Sequence, residues 1–177
     1  MKILAIIPAK LDSKRLPKKN IQIINGKTLI EHSIDYAKHS KYNPRIIISS
    51  ESDIVKEICN QHGVRFHKRP TELCGDIEVV DVYEFIINEL DEEYDIIVGL
   101  QPDNPNRSNT LDDCLQYMIE NNYDDLITVN NDYKRSGSIR IFKYEFLKNG
   151  FVSKRMGCIR DSAIDIHFIE DLNRLKS

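Results

Sequence analysis

The chain has 177 residues, with 25 Lys and Arg against 28 Asp and Glu and a formal net charge of −3. That length suits one domain with a sizeable core, and the near-balanced charge excludes a general nucleic-acid or membrane-surface binder. No apolar run approaches the ~20 residues of a membrane span, and the opening "MKILAIIPAK" reads as a strand without a leader's cleavage site, so a cytoplasmic protein is expected.

In chain order, "KILAIIP" (2–8) predicts a buried strand that runs into a basic loop over 8–20. "TLIEHSIDYAKHS" opens with Thr28 and has Glu31 three positions on, a capping box, with Leu29, Ile30, Ile34 and Ala37 facing inward. A second strand over 45–49 precedes "ESDIVKEICNQHG", whose spacing places Ile54, Val55, Ile58 and Cys59 on one inward face and ends at Gly63. "VVDVYEFIINEL" and "TLDDCLQYMIEN" repeat the helical period on either side of a strand over 95–100. Strands over 125–129 and 138–142 follow, then an irregular β-rich stretch and a closing helix, "IEDLNRLKS".

Continuous β-branched runs of this kind suit strands buried on both faces. Their alternation with helices predicts an α/β three-layer domain with a mostly parallel central sheet, spanning 1–177 without repeat or linker. The cysteines Cys59, Cys74, Cys114 and Cys158 form no C-x-x-C pattern and read as reduced thiols, so neither a disulfide nor a zinc staple is expected.

In such folds ligands bind beyond the carboxyl ends of the strands. Four loops are therefore of interest: 8–20, 49–53, 101–107 and 161–168. The first carries Lys10, Lys14, Arg15, Lys18 and Lys19. Fixed cations and main-chain N–H groups there suit a phosphate, yet the loop contains no glycine and matches neither a Walker A sequence nor G-x-G-x-x-G. Composition alone leaves it open between solvated surface and anion site.

Five stretches in order decide the reading: "IIPAKLDSKRLPKKN" with "NGKTLIEHSI", "RIIISSES", "KRPTELCGD", "LQPDNPNR" and "AIDIHFIEDL". Together they resemble the cytidylyltransferases that activate acidic sugars, of the acylneuraminate type and their 3-deoxy-manno-octulosonate relatives. The resemblance implies a Rossmann-like nucleotidyltransferase fold and transfer of CMP from CTP to a sialic-acid-like or other 2-keto-3-deoxy sugar acid, with pyrophosphate released. It implies that Lys10, Lys14 and Lys19 stabilise the triphosphate, with Ala9, Ser13, Arg15 and Asn20 also at the nucleotide. Ser50 and Glu51, Arg69 and Asp76 are further nucleotide positions, and Gln101 and Arg107 lie toward the sugar. Mg²⁺ is the implied cofactor, with Asp103, Asp165 and His167 as its candidate ligands, the last pair on one face of an extended strand.

Three positions depart from the family pattern. Lys10 stands where the family has arginine, which keeps the charge but loses the planar fork. His167 stands where the family has aspartate, and imidazole suits a softer divalent ion than Mg²⁺. Between "LITVNNDY" and "KRSGSIRIF" the family inserts an arm that reaches a partner subunit, and its absence leaves a homodimer without that contact. These departures keep two other readings in play: a cytidylyltransferase with a different acceptor, such as a phosphorylated small molecule, and a non-catalytic nucleotide-binding module.

Overall fold

A computed structural model describes residues 1–151 and 153–176. Ser177, placed by the sequence in the closing helix, lies outside the described residues. The elements run β1 (Ile3–Pro8), a 3₁₀ turn (Lys19–Ile21), the short hairpin β2 (Ile23–Ile24) and β3 (Lys27–Thr28), α1 (Leu29–Lys38), β4 (Arg45–Ser50), α2 (Asp53–His62) and β5 (Arg65–Lys68). A second 3₁₀ turn (Thr71–Leu73) leads to α3 (Val79–Glu89), β6 (Ile96–Leu100), α4 (Leu111–Glu120), β7 (Asp125–Val129), β8 (Arg135–Lys143), α5 (Tyr144–Lys148), β9 (Met156–Arg160) and α6 (Ile169–Lys176).

Seven strands form one sheet in the order β5-β4-β1-β6-β8-β7-β9. β1 lies between β4 and β6, parallel to both, with Ala5 opposite Ile46 on one side and Val98 on the other. β8 is the exception, antiparallel to β6 and β7, while β9 runs parallel to β7 at the edge. The mostly parallel sheet expected from the apolar runs is therefore present.

The strand period of two sorts β1 onto both faces. Ile3, Ala5 and Ile7 pack with Ile30 and Ile34 of α1, Val55 and Cys59 of α2, and Cys114 and Met118 of α4. Leu4 and Ile6 pack with Val82, Ile86 and Ile87 of α3 and Leu147 of α5. The result is a helix–sheet–helix sandwich. A smaller cluster of Leu16, Ile24, Leu29, Ile166 and Leu172 ties the basic loop to the C-terminal segment.

The capping box at Thr28 and Glu31 forms in both directions, and Gly63 closes α2 in the left-handed region at φ 62°. Ile54 departs from expectation: it is exposed, while Val55 and Cys59 are fully buried. The buried stripe of α2 is centred on the 55/59 pair, and position 54 turns about 100° away from it. The segment carrying Asp165 and His167 is not a strand, since residues 161–167 run without ladder pairing. Ile164 N and Ile166 N tie it instead to Asn106 Oδ1 and Asp103 O of the loop after β6, and His167 N donates to Asp171 Oδ2. Among the described residues, no helix is long and apolar enough to cross a membrane.

Candidate functional site

The four loops singled out in the sequence meet at the carboxyl end of β1. Ala9 N donates to Ser49 O at 2.8 Å, and Leu11 N donates to the Glu51 carboxylate at 2.7 Å. Asn20, buried, donates from Nδ2 to Lys10 O at 2.8 Å and so fixes the start of the basic loop. Lys19 Nζ reaches Asp103 Oδ2 at 2.6 Å, and Ile166 N donates to Asp103 O at 2.9 Å. These bonds enclose a cleft of about 280 Å³.

Lys10, Ser13, Lys14, Arg15, Lys19 and Asn20 line one side of this cleft, and Arg69, Asp76, Gln101 and Asp103 line the other. Lys10 Nζ donates to Gly75 O at 3.2 Å, and Lys14 pairs with Asp76 at 3.1 Å across the open mouth. The Lys14 ammonium and its hydrogen bond hold the Asp76 carboxyl below its ordinary range. Arg69 is only 5% exposed and forms no carboxylate ion pair among the described residues; it is held by Ser49 through Nε (3.2 Å) and Nη2 (2.9 Å). Burial lowers its pKa, as expected of a desolvated cation.

Opposite the cations sit the carboxylates. Asp103 gives Oδ2 to Lys19, while its Oδ1 is buried with no partner among the described residues. Burial raises the Asp165 pKa, and the charge of Asp103 raises it further against the opposing pull of His167, Lys19 and Arg15. His167 Nε2 lies 2.8 Å from Asp165 Oδ2, and its Nδ1 is buried without a partner among the described residues. Among the described residues no group of three or more His, Cys, Asp or Glu forms a closed metal cage. Mg²⁺ needs none, because one or two carboxylates plus substrate oxygens complete its shell. Two mutually repelling carboxylates, one with an orphaned buried oxygen, fit that cation.

Several predicted positions lie off the cleft. Ala9 is buried and contributes backbone only, while Ser50 is buried with Oγ accepting from Ser52 N. Asp165 and His167 stand behind Asp103 and do not line the cleft. The Arg107 guanidinium donates to Gln101 O (2.6 Å), Ser138 O (3.1 Å) and Ser33 Oγ (3.4 Å) and lies over the Tyr36 ring, so it braces the loop below Gln101.

Other residues carry no sequence signal that singled them out. Leu73, Cys74, Val79 and Val82 make the apolar wall of the cleft. Val79 and Val82 are three apart on α3, a spacing that also describes any core face. Asp161, fully buried, accepts from Ser108 N (2.8 Å), Ser108 Oγ (2.7 Å), Ala163 N (3.2 Å) and Ser138 Oγ. It begins the strap that carries Asp165.

Comparison with known proteins gives the family of the chain. The sequence model of the family described as cytidylyltransferase matches residues 4–148. The chain is 35% identical over 112 residues to the CMP-N,N'-diacetyllegionaminic acid synthase of Legionella pneumophila, covering 60% of this chain and 48% of that protein. It is 32% identical over 143 residues to the N-acylneuraminate cytidylyltransferase of Escherichia coli, covering 78% of this chain and 34% of that protein. The chain thus spans a third to a half of the length of these curated relatives. The solved structure of CMP:2-keto-3-deoxy-manno-octonic acid synthetase complexed with CTP superposes at a TM-score of 0.77 with 15% identity, over 99% of this chain and 97% of that one, a likeness of fold. With most of its length matched by the family model and its basic loop, cleft and carboxylates assembled at one sheet end, the chain belongs to the cytidylyltransferase family.

Proposed function

We propose that this chain transfers CMP from CTP to an acidic sugar of the 2-keto-3-deoxy acid class, releasing pyrophosphate. The observation that carries the reading is the cleft itself: Lys10, Lys14 and Lys19 line it from one loop, together with Asp103 and the nearly buried guanidinium of Arg69, which forms no carboxylate ion pair among the described residues. A triphosphate carries close to four negative charges, and fixed cations at a preorganised site stabilise the charge that builds on the departing pyrophosphate.

In this reading Lys10, Lys14 and Lys19 bind the phosphates, while Asn20 holds the Lys10 carbonyl so that the loop keeps its shape. Ser13 and Arg15 stand beside them on the same wall. Arg69 faces the nucleoside from the opposite wall. Gln101 marks the acceptor side, where a sugar hydroxyl attacks the α-phosphorus in line with the leaving pyrophosphate. No covalent nucleophile is needed, since positioning and electrostatics carry the step.

Mg²⁺ would be held by Asp103 and Asp165, with His167 beside them, and when bound would polarise the phosphate oxygens as a Lewis acid. Lys19 meanwhile holds Asp103 in place at 2.6 Å, and the strap from Asp161 carries Asp165 to it.

The test is thermal stabilisation by CTP, UTP, ATP and GTP, each with and without Mg²⁺. A ligand at ~100 times its dissociation constant adds about 2.7 kcal/mol. A CTP-selective shift that grows with Mg²⁺ supports the reading, and pyrophosphate release with a panel of 2-keto-3-deoxy sugar acids then identifies the acceptor. No shift with any nucleotide overturns it.

A further inference from the structure

Arg69 reaches the cleft from the edge of the sheet, and a chain of three side chains stands behind it. β5 is the edge strand, paired in parallel with β4 so that His67 lies opposite Ser49. Arg69 follows His67 by two residues, so the two side chains leave the extended backbone on one face. There Ser49 Oγ sits between them, 3.0 Å from His67 Nδ1 and 3.2 Å from Arg69 Nε. On its far side His67 Nε2 lies 2.8 Å from the Glu89 carboxylate, at the last residue of α3.

With a neutral His67, the chemistry of the end groups gives the bonds one consistent direction. An ionised carboxylate only accepts and a guanidinium only donates. In a neutral imidazole, the tautomer that fits these ends carries its proton on Nε2, toward Glu89, and leaves Nδ1 as the acceptor. Ser49 gives its single proton to Nδ1 and turns a lone pair to Arg69 Nε–H. A second bond, from Arg69 Nη2 to Ser49 O at 2.9 Å, fixes the plane of the guanidinium. The order Glu–His–Ser is also that of a hydrolytic triad, but Ser49 has 0% exposure and its lone pair is taken by Arg69, so no substrate carbonyl can reach it.

We propose that Glu89, His67 and Ser49 are positioning residues: a hydrogen-bonded relay that orients the Arg69 guanidinium toward the nucleotide. The inference rests on the nucleotide reading of the cleft. A long, buried cation with no carboxylate ion pair among the described residues must be held in place by neutral groups if it is to meet its ligand already oriented. Ser49 supplies both contacts, and His67 and Glu89 decide which way its hydroxyl points.

The experiment is a double-mutant cycle read by calorimetric CTP binding with the whole chain. Ser49→Ala is expected to weaken CTP binding about tenfold when Arg69 is present, and to change it less than about twofold in an Arg69→Met background, the coupling expected of contacting residues. His67→Leu should show the same loss as Ser49→Ala. His67→Asn, whose Oδ1 can accept from Ser49, should recover most of the affinity, which a purely packing role for the ring would not produce. Equal effects of Ser49→Ala in both backgrounds, or wild-type affinity in His67→Leu, overturn the relay while leaving the nucleotide site intact. If Arg69→Met binds too weakly to measure, the His67 pair alone decides. Failure of the unmodified chain to bind CTP overturns the nucleotide reading and the relay with it.

Discussion

Lys19 Nζ and Asp103 Oδ2 lie 2.6 Å apart, both side chains only 14% exposed, and this pair joins the loop after β1 to the loop after β6. The second oxygen of Asp103 is buried without a partner among the described residues, and the pKa of the nearby Asp165 carboxyl is raised by burial and by the charge of Asp103. Such an arrangement holds negative charge in place for a cation to neutralise.

Asp103→Asn keeps the shape and removes the charge. Metal-dependent turnover should fall by at least about a hundredfold, in the range seen when one preorganised electrostatic contact is lost. Circular dichroism should report an intact fold. Turnover equal to the unmodified chain would remove Asp103 from the site.

Lys14 separates binding from stability. Its pair with Asp76 is exposed on both sides, at 80% and 85%, and surface pairs of that kind contribute little to folding. Lys14→Ala should therefore leave the melting temperature unchanged while weakening CTP binding, with the largest difference at low ionic strength. A melting shift with unchanged affinity would make Lys14 a structural residue.

Gly137 turns at φ +75°, and a Cβ there would come within 2.7 Å of Gln101 Nε2. Gly137→Ala should cost about 1–2 kcal/mol from backbone conformation alone, measurable by urea unfolding. Because Gln101 lines the cleft, it should also raise the KM for the acceptor more than that for CTP. An unchanged acceptor KM would show that Gln101 does not meet the acceptor.

Asp161 sets an acid limit. Burial pushes its carboxyl up, but hydrogen bonds from Ser138, Ser108 and Ala163 outweigh that and hold it below the ordinary 3.8. A depressed folded pKa contributes stability above the unfolded value, and that contribution is lost as pH falls through the folded value. Asp161→Ala should cost about 3 kcal/mol at neutral pH, since bonds to a charged acceptor are lost and their donors stay buried. The part of that gap owed to the charge should narrow as pH falls through the unfolded and then the lower folded pKa, while the part owed to unpaired buried donors persists. A gap that stays constant with pH would mean the carboxylate is not the source of the stability.

Much of the fold was legible locally. Capping at Thr28, the glycine stop at Gly63 and the apolar runs of β1, β4 and β6 are properties of residues within a few positions of one another. The hairpin β2–β3 and the short α5 were not, because elements so short carry too few residues for a period to emerge, and the edge strand β9 was not, because its Met156–Arg160 holds a glycine and only one β-branched residue. Ile54 failed for a related reason: four apolar residues in a row of six leave the centre of a helical stripe undetermined until a neighbour packs on it.

The sequence by itself determined the class of the fold, the basic loop behind the first strand and the carboxylates that could answer it, because strand and helix periods and charge type are written residue by residue. Only the tertiary structure decided which of those charges meet. Lys19 and Asp103 are 84 positions apart, so their contact follows from the neighbouring places of β1 and β6 in the sheet. The same packing turned Arg107 into a brace for the Gln101 loop and placed Ser49, His67 and Glu89 behind Arg69. Long-range pairing is set by how layers stack to bury apolar area, and a string of residues read in order holds no distance between its ends.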